Sequence, residues 1–374
     1  MKLAIAGTGW VTPLGMGISQ VWNALMAGER AQPEKVCDSV ADKSYTAFRI
    51  PDAIAKTLPA HPRLRRASSI SRFAAAAGLD AINDAGLTID PDLSRRMALI
   101  FAVANGGVIY TKRFYHDIVA SGADAASPLL FPETVFNAAA SHLSAILGVT
   151  GTSYTVVGDG AVGLLAIKMA EDLMAQQELD YCLVVGAEEA DWLLCDAYQK
   201  WRLLRPAPPI EPFSKRAHGT ILSEGAGALL LAREGPVKIA SIHITGHYRR
   251  RRDAAGRLTQ ALHGVATTGT AVVVASANGT FVDNAEIEAL SNTLPGTIIY
   301  APKQALGEGV AAGALWQVII AAQILQRKEM PRPWFIPPYE GPNPATSTSL
   351  PAVKQVAVTS CGLNQQVAAL RLSI

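Results

Sequence analysis

Residues 154–189, YTVVGDGAVGLLAIKMAEDLMAQQELDYCLVVGAEE, constrain the fold more than any other stretch. They read as strand, tight turn, helix and strand. Thr155, Val156 and Val157 form a β-branched run that Gly158-Asp159-Gly160 breaks. Residues 161–175 are good helix formers, apolar nearly all round, as on a buried helix. Tyr181 to Val185 is then an apolar strand that Gly186 ends. A buried helix that follows directly on a buried strand offers free N–H groups and a positive dipole end, which favour an anion. A cysteine there would become more acidic and an oxyanion would be held. This chain carries Gly160 at that place, which has no side chain.

The stretch resembles the active-site segment of the β-ketoacyl-[acyl carrier protein] synthases, the elongating ketosynthases of the thiolase-like fold. In that family the turn reads A-C-x-S/T-G, and its Cys carries the acyl chain. Here it reads Asp159-Gly160-Ala161-Val162-Gly163, and matching Gly163 to the family Gly puts Gly160 on the nucleophile. Val185 to Glu188, V-G-A-E, is similar to the family's G-G-A/T-E. The resemblance implies an α/β protein of thiolase-like fold. Two similar α/β halves, residues 1–234 and 235–374, would pack as a layered αβαβα sandwich, with Gly235-Pro236 at the boundary.

The 374 residues are 49% hydrophobic and 17% charged, enough for two packed halves. The net charge of +2 gives no reason to expect a nucleic-acid partner. No apolar run is long enough to span a membrane, and no charged-then-apolar leader opens the sequence. Cys37, Cys182, Cys195 and Cys361 lack paired spacing, and Cys182 falls in a core strand, which points to a reduced, cytoplasmic protein. The sequence implies neither a metal nor a cofactor.

Along the chain, the opening strand runs into GTGWVTPLG, which resembles the family's G-x-G-x-V-T/S-P-x-G. It is not a dinucleotide fingerprint, because G-x-G-x-x-G is absent and Pro13 breaks the helix such a site needs. Residues 37–59 read as irregular. Arg63, Arg65 and Arg66 precede a helix through Arg72, Phe73 and Leu79. The resemblance implies carrier-protein docking there; charge alone implies a solvated helix start. Residues 127–151 are similar to the family's S-P-x-x-x-P-x-x-x-x-N-x-x-x-x-H-L segment. That segment helps form the dimer interface and acyl pocket, with Phe131 and Phe136 as pocket candidates. The eighteen-residue step from His142 to Gly160 fits the family spacing, and His142 itself reads as a structural histidine. Residues 205–234 resemble P-F/W-D-x-x-R-x-G-x-x-x-x-E/D-G-A-G, with Ser214 for the Asp and Ala217 for the Arg. Arg249 to Arg252 lie in a stretch, 248–257, that reads as a solvated loop.

The family's other catalytic motifs are altered. In place of H-G-T stands Asn278-Gly279-Thr280, followed by Asp283-x-x-Glu286. In place of K-x-x-x-G-H stands Lys303-Gln304-Ala305-Leu306-Gly307-Glu308, so either Glu308 or, one register back, Gly307 takes the second His position. The final G-F-G-G-x-N appears as Gly362-Leu363-Asn364-Gln365-Gln366, and Leu363 is a further pocket candidate. Claisen condensation needs a thiolate and donors for the enolate and oxyanion. Asp159 reads as a helix cap that puts a fixed carboxylate where the family holds a thioester. The losses at Gly160, Asn278 and Glu308 argue against catalysis. They match the chain length factors of type II polyketide systems, and similar partners in polyene pathways including the aryl polyene type. Those proteins pair with an active ketosynthase and shape its acyl tunnel. Such a subunit would meet the acyl carrier protein directly or through its partner. Two other readings remain: an acyl-thioester enzyme of changed chemistry, using Cys361 with Glu308 or Asp159 as base, and a decarboxylating initiator, which still needs the His pair. Against the first, a lone Cys in an apolar segment is ordinarily a packed core residue.

Overall fold

The computed structural model describes residues 3–38, 42–335 and 349–374. Its first half contains strands β1 (Leu3–Thr12), β2 (Met97–Val103), β3 (Ser153–Val157), β4 (Tyr181–Glu188) and β5 (Gly225–Ala232). Helices α1 (Ser69–Asp84), α2 (Ala138–Leu147) and α3 (Val162–Gln176) lie between them in the chain. The second half holds β6 (Val237–Ile244), α4 (Ala254–His263), β7 (Val272–Val274), α5 (Phe281–Thr293), β8 (Ile298–Tyr300), α6 (Gly313–Arg327), β9 (Gln355–Cys361) and β10 (Val367–Ser373).

The two halves repeat one topology. In the first the strand order is β3-β2-β4-β5-β1, and in the second it is β8-β7-β9-β10-β6. Within each half the first three strands run parallel and the last two antiparallel. The halves join where β1 pairs antiparallel with β6, through Leu3, Ala4 and Ile5.

Strand parity then sets the layers, because alternate side chains leave a strand on opposite faces. Ala98, Ile100 and Ala102 of β2 and Cys182 and Val184 of β4 join one core with Val272, Val274, Val356 and Val358 of the second half. That core also contains α3 and α6, which therefore form the middle layer between the two halves' strands. The opposite faces of β2 and β4 pack on α1 and α2. The opposite faces of β7 and β9 pack on α4 and α5. The result is the layered αβαβα arrangement. Both middle helices are apolar around most of their circumference, as a helix buried on all sides must be. Each fully buried Leu, Ile or Val of this layer contributes roughly 1.5–3 kcal/mol. Close approach dictates composition too: a Cβ at Gly9 would stand 2.2 Å from the Ala77 carbonyl oxygen, so α1 rests directly on β1.

Two readings of the sequence need correction. Residues 37–59 are not irregular throughout. Pro33–Asp38 pairs antiparallel with Lys43–Phe48, and the latter pairs parallel with Leu222–Ser223. Polar residues at Glu34, Lys35 and Lys43 hid this small sheet, whose apolar side lies at Val36, Tyr45 and Ala47. Likewise the loop that begins at Tyr248 gives way to α4 at Ala254, because Ala254, Ala255 and Leu258 bury one helical face. No helix among the described residues is long and apolar enough to cross a membrane.

Candidate functional site

Parallel strands in open α/β architectures present ligands at their carboxyl ends. Four such ends supply the site: residues 158–160 after β3, 275–280 after β7, 301–308 after β8 and 362–366 after β9. Gly160 is buried there, and its carbonyl accepts the Ser360 hydroxyl at 2.9 Å. A Cβ built on Gly160 would meet only the Gly362 Cα at 3.6 Å and Glu308 Oε1 at 3.9 Å, both ordinary contacts. The backbone thus leaves room for a side chain and aims it at Glu308.

Glu308 is 2% exposed. Its Oε2 accepts hydrogen bonds from Asn278 Nδ2 and from Lys303 Nζ, each at 2.7 Å, and its Oε1 accepts the Val310 N–H at 3.1 Å. Asn278 is held in turn. Its Oδ1 accepts the Thr280 N–H at 3.2 Å and the Thr280 hydroxyl at 2.7 Å. Its own backbone N–H donates to Asp283 at 2.8 Å. Burial pushes the Asp283 carboxyl up to about 7, opposed by N–H donors from Phe213, Asn278 and Gly279. Glu308, and not Gly307, therefore stands opposite Gly160 and Asn278. Gly307 adopts φ 82°, and a Cβ there would lie 2.6 Å from Phe48.

Asp159 does not cap α3. The helix begins at Val162 with Ala161 as its cap residue and no side-chain cap bond. The Asp159 carboxylate turns instead to the loop after β9, where Oδ2 accepts the Asn364 N–H at 2.6 Å. The Ala161 N–H reaches Oδ1 only at 3.5 Å. The closer donor from this distant loop takes the carboxylate away from the cap position. Burial pushes this carboxyl up to about 6, against the Asn364 and Ala161 donors and with Glu308 adding repulsion.

The chemistry of these groups is limited. One Asn278 side-chain N–H is spent on the Glu308 carboxylate, and its amide oxygen is held by Thr280, which fixes the group toward that carboxylate. Cys361 is packed in the core with Val367 and Ala369, and burial raises its thiol well above the usual range, which suits a structural cysteine. Among the described residues no group of His, Cys, Asp and Glu is arranged to hold a metal.

The structure gathers Gly160, Asn278 and Glu308 in one place, and half-buried Leu363 joins the apolar cluster that contains Val310. Phe131 and Phe136 lie elsewhere, on an apolar face, 55% and 49% exposed. Phe136 covers Gly106, and Phe131 packs on Phe114 at 5.7 Å between centroids. Tyr115, Val119, Leu129 and Val135, Tyr154 and Val157 of the edge strand β3, and Trp201 are the other exposed large apolar groups among the described residues of this half. His142 is a structural histidine, its Nε2 bonded to Glu133 at 2.7 Å. Arg63, Arg65 and Arg66 are exposed, and Arg65 lines a cleft of about 780 Å³ with Lys56, His61 and Arg72. Sequence reasoning missed the Lys303–Glu308 pair. Its signal was present: two opposite charges five residues apart inside an otherwise uncharged stretch.

A two-half thiolase-like fold, with the turn at Gly160 facing the second half's loops, is that of a ketosynthase-like protein. The β-ketoacyl synthase N-terminal domain family matches residues 1–235, and the chain belongs to that family. Nodulation protein E of Rhizobium leguminosarum bv. trifolii is 27% identical over 236 residues, 62% of this chain and 57% of its own length. This chain therefore spans little more than half of that curated relative in the match. Among solved structures, the ishigamide ketosynthase/chain length factor has a TM-score of 0.85 at 21% identity, covering 100% of this chain and 98% of its own. The ketosynthase in complex with its chain length factor from Xenorhabdus doucetiae has a TM-score of 0.83 at 17% identity, with the same coverage. At these identities the two solved structures establish the fold.

Proposed function

We propose that this chain is a catalytically inactive ketosynthase-like subunit of the chain length factor type. It pairs with an active β-ketoacyl-[acyl carrier protein] synthase and shapes its acyl tunnel in type II polyketide or fatty-acid-like biosynthesis, with polyene pathways as the setting. The observation that carries this reading is the Glu308 carboxylate, bound by Lys303 and Asn278 and facing a glycine. It supplies neither a nucleophile nor a donor for a developing oxyanion. The exposed apolar face around Val119, Phe131, Phe136 and β3 supports pairing, since monomeric proteins rarely leave large apolar patches uncovered. Phe131, Phe136 and Leu363 are the proposed tunnel residues. Arg63, Arg65 and Arg66 are the proposed contacts to an acidic acyl carrier protein.

Co-expression with the intact ketosynthase of the same gene neighbourhood tests the proposal. A single 1:1 complex is expected, together with no covalent acyl adduct on this chain after incubation with acyl-carrier thioesters. Two separately eluting proteins, with the ketosynthase unchanged in product length when alone, would overturn it. An adduct on Cys361 would instead favour an enzyme of changed chemistry.

A further inference from the structure

The loop of residues 362–366 closes over the turn of residues 158–160 through an unusual set of bonds. Asp159 Oδ2 accepts the Asn364 N–H at 2.6 Å, and the Asp159 N–H donates to Gln366 Oε1 at 3.0 Å. Ser360 holds the Gly160 carbonyl at 2.9 Å. The loop is tightened on itself by the Gly362 N–H, which donates to the Gln366 carbonyl at 2.7 Å. From the other side, the Tyr248 hydroxyl donates to the Gly362 carbonyl at 2.6 Å and the Tyr248 N–H to the Gln365 carbonyl at 3.2 Å. Gln365 sits at φ 82°, a conformation that side chains avoid unless their surroundings impose it.

Shape fits this closure as closely as bonding does. A Cβ on Gly362 would fall 2.0 Å from both carboxylate oxygens of Asp159. The carboxylate fills the space that a side chain at 362 would need. A Cβ on Gly158 would likewise fall 2.6 Å from Gln366 Oε1. Asp159 lies directly before the vacant position 160, so the turn that would present an attacking group is joined to the loop above it.

We propose that Asp159 is a latch: it pins the loop of residues 362–366 shut over Gly160 and denies a thioester arm access to the vacant centre. Exclusion of substrate is thus built separately from the loss of the nucleophile. The latch acts through this chain's own backbone and does not depend on the partner reading.

Two measurements test it. Hydrogen exchange compares D159A with the unmodified chain. The Asn364 amide should exchange at least tenfold faster in D159A, while β9 and β10 keep their protection. Equal exchange at Asn364 would overturn the latch. The second measurement uses G160C with C37S as a reporter, since Cys37 is exposed and Cys182, Cys195 and Cys361 are buried. Reaction of the introduced thiol with N-ethylmaleimide should be slow. Adding Q366A, which alters no charge near the thiol, should speed it about tenfold, and G362A should act in the same direction. Fast labelling without either added change, or rates unmoved by both, would show an open site and sink the proposal.

Discussion

Lys303 and Glu308 meet at 2.7 Å with both side chains 3% exposed. A carboxylate and an ammonium so far from water hold each other in place, and the loss of either leaves the other uncompensated. Breaking such a pair commonly costs about 3–5 kcal/mol, while replacing both members by apolar groups is often neutral. E308A and K303M alone should each destabilise the chain by about that amount in urea unfolding. K303M combined with E308L should recover most of the loss. Additive losses in the double variant would show that the two do not act as a pair.

G160C should fold normally. The new Cβ meets its nearest neighbours at 3.6 and 3.9 Å, so stability should change by less than about 1 kcal/mol. It should still not condense malonyl and acyl-carrier thioesters, because a carboxylate beside the thiol disfavours the thiolate. Intact-mass analysis and product assay check this. A loaded, elongating G160C enzyme would contradict the reading of the site as lost at several positions.

The apolar face can be tested without a known partner. Obligate interfaces commonly bury more than ~2,000 Å². Val119 is 83% exposed on the helix Val108–Ser121, so V119E cannot harm the monomer's core. It should weaken association at least tenfold by analytical ultracentrifugation, with the thermal midpoint of the monomer unchanged. F136A, in a complex with an active ketosynthase, should lengthen or blur the product distribution. A variant pair that leaves both association and product length untouched would place the interface elsewhere.

Glu188 makes stability depend on pH. It is fully buried at the end of β4, with Oε2 accepting the Ala104 and Asn105 N–H groups at 3.0 and 3.2 Å and Oε1 unpartnered. Burial pushes its carboxyl up to about 8, against those two donors. Between an unfolded value near ~4.3 and about 8, the folded chain keeps a proton that the unfolded chain releases. This group's contribution is therefore complete at acid pH and lost as pH rises through that window. E188Q keeps an acceptor for both N–H groups and removes the titration. Its stability relative to the unmodified chain should rise from pH 5 to pH 8 in urea melts. An advantage that shrinks over that range would refute the assignment.

The sequence carried the architecture where periodicity and punctuation agreed. Within residues 154–189 the helix and the strand Tyr181–Glu188 were legible because most of their side chains are buried and apolar, whereas β3 before them is an edge strand with Tyr154 and Val157 exposed. The positions of Gly160 and Asn278 were legible from the motifs, which leave the third open between Glu308 and Gly307. Their bonding was not legible: Asp159 binds Asn364 only after the two halves are brought together, and Lys303 meets Glu308 only through the turn at Gly307. The same limit hid the sheet of Pro33–Asp38 and Lys43–Phe48. Its pairing with Leu222–Ser223 spans most of the first half, and its exposed face carries the charges that read as loop.

Space is still open at Gly160, yet the nearest functional group to it is an anion. Beneath the closed loop of residues 362–366, the obstacle at position 160 itself is therefore one of charge and not of room for a side chain. A route back to a working centre would start by changing residue 308, and a thiol gained first would enter a hostile electrostatic field. The order of substitutions, and not their number alone, would decide whether any intermediate along that route is active.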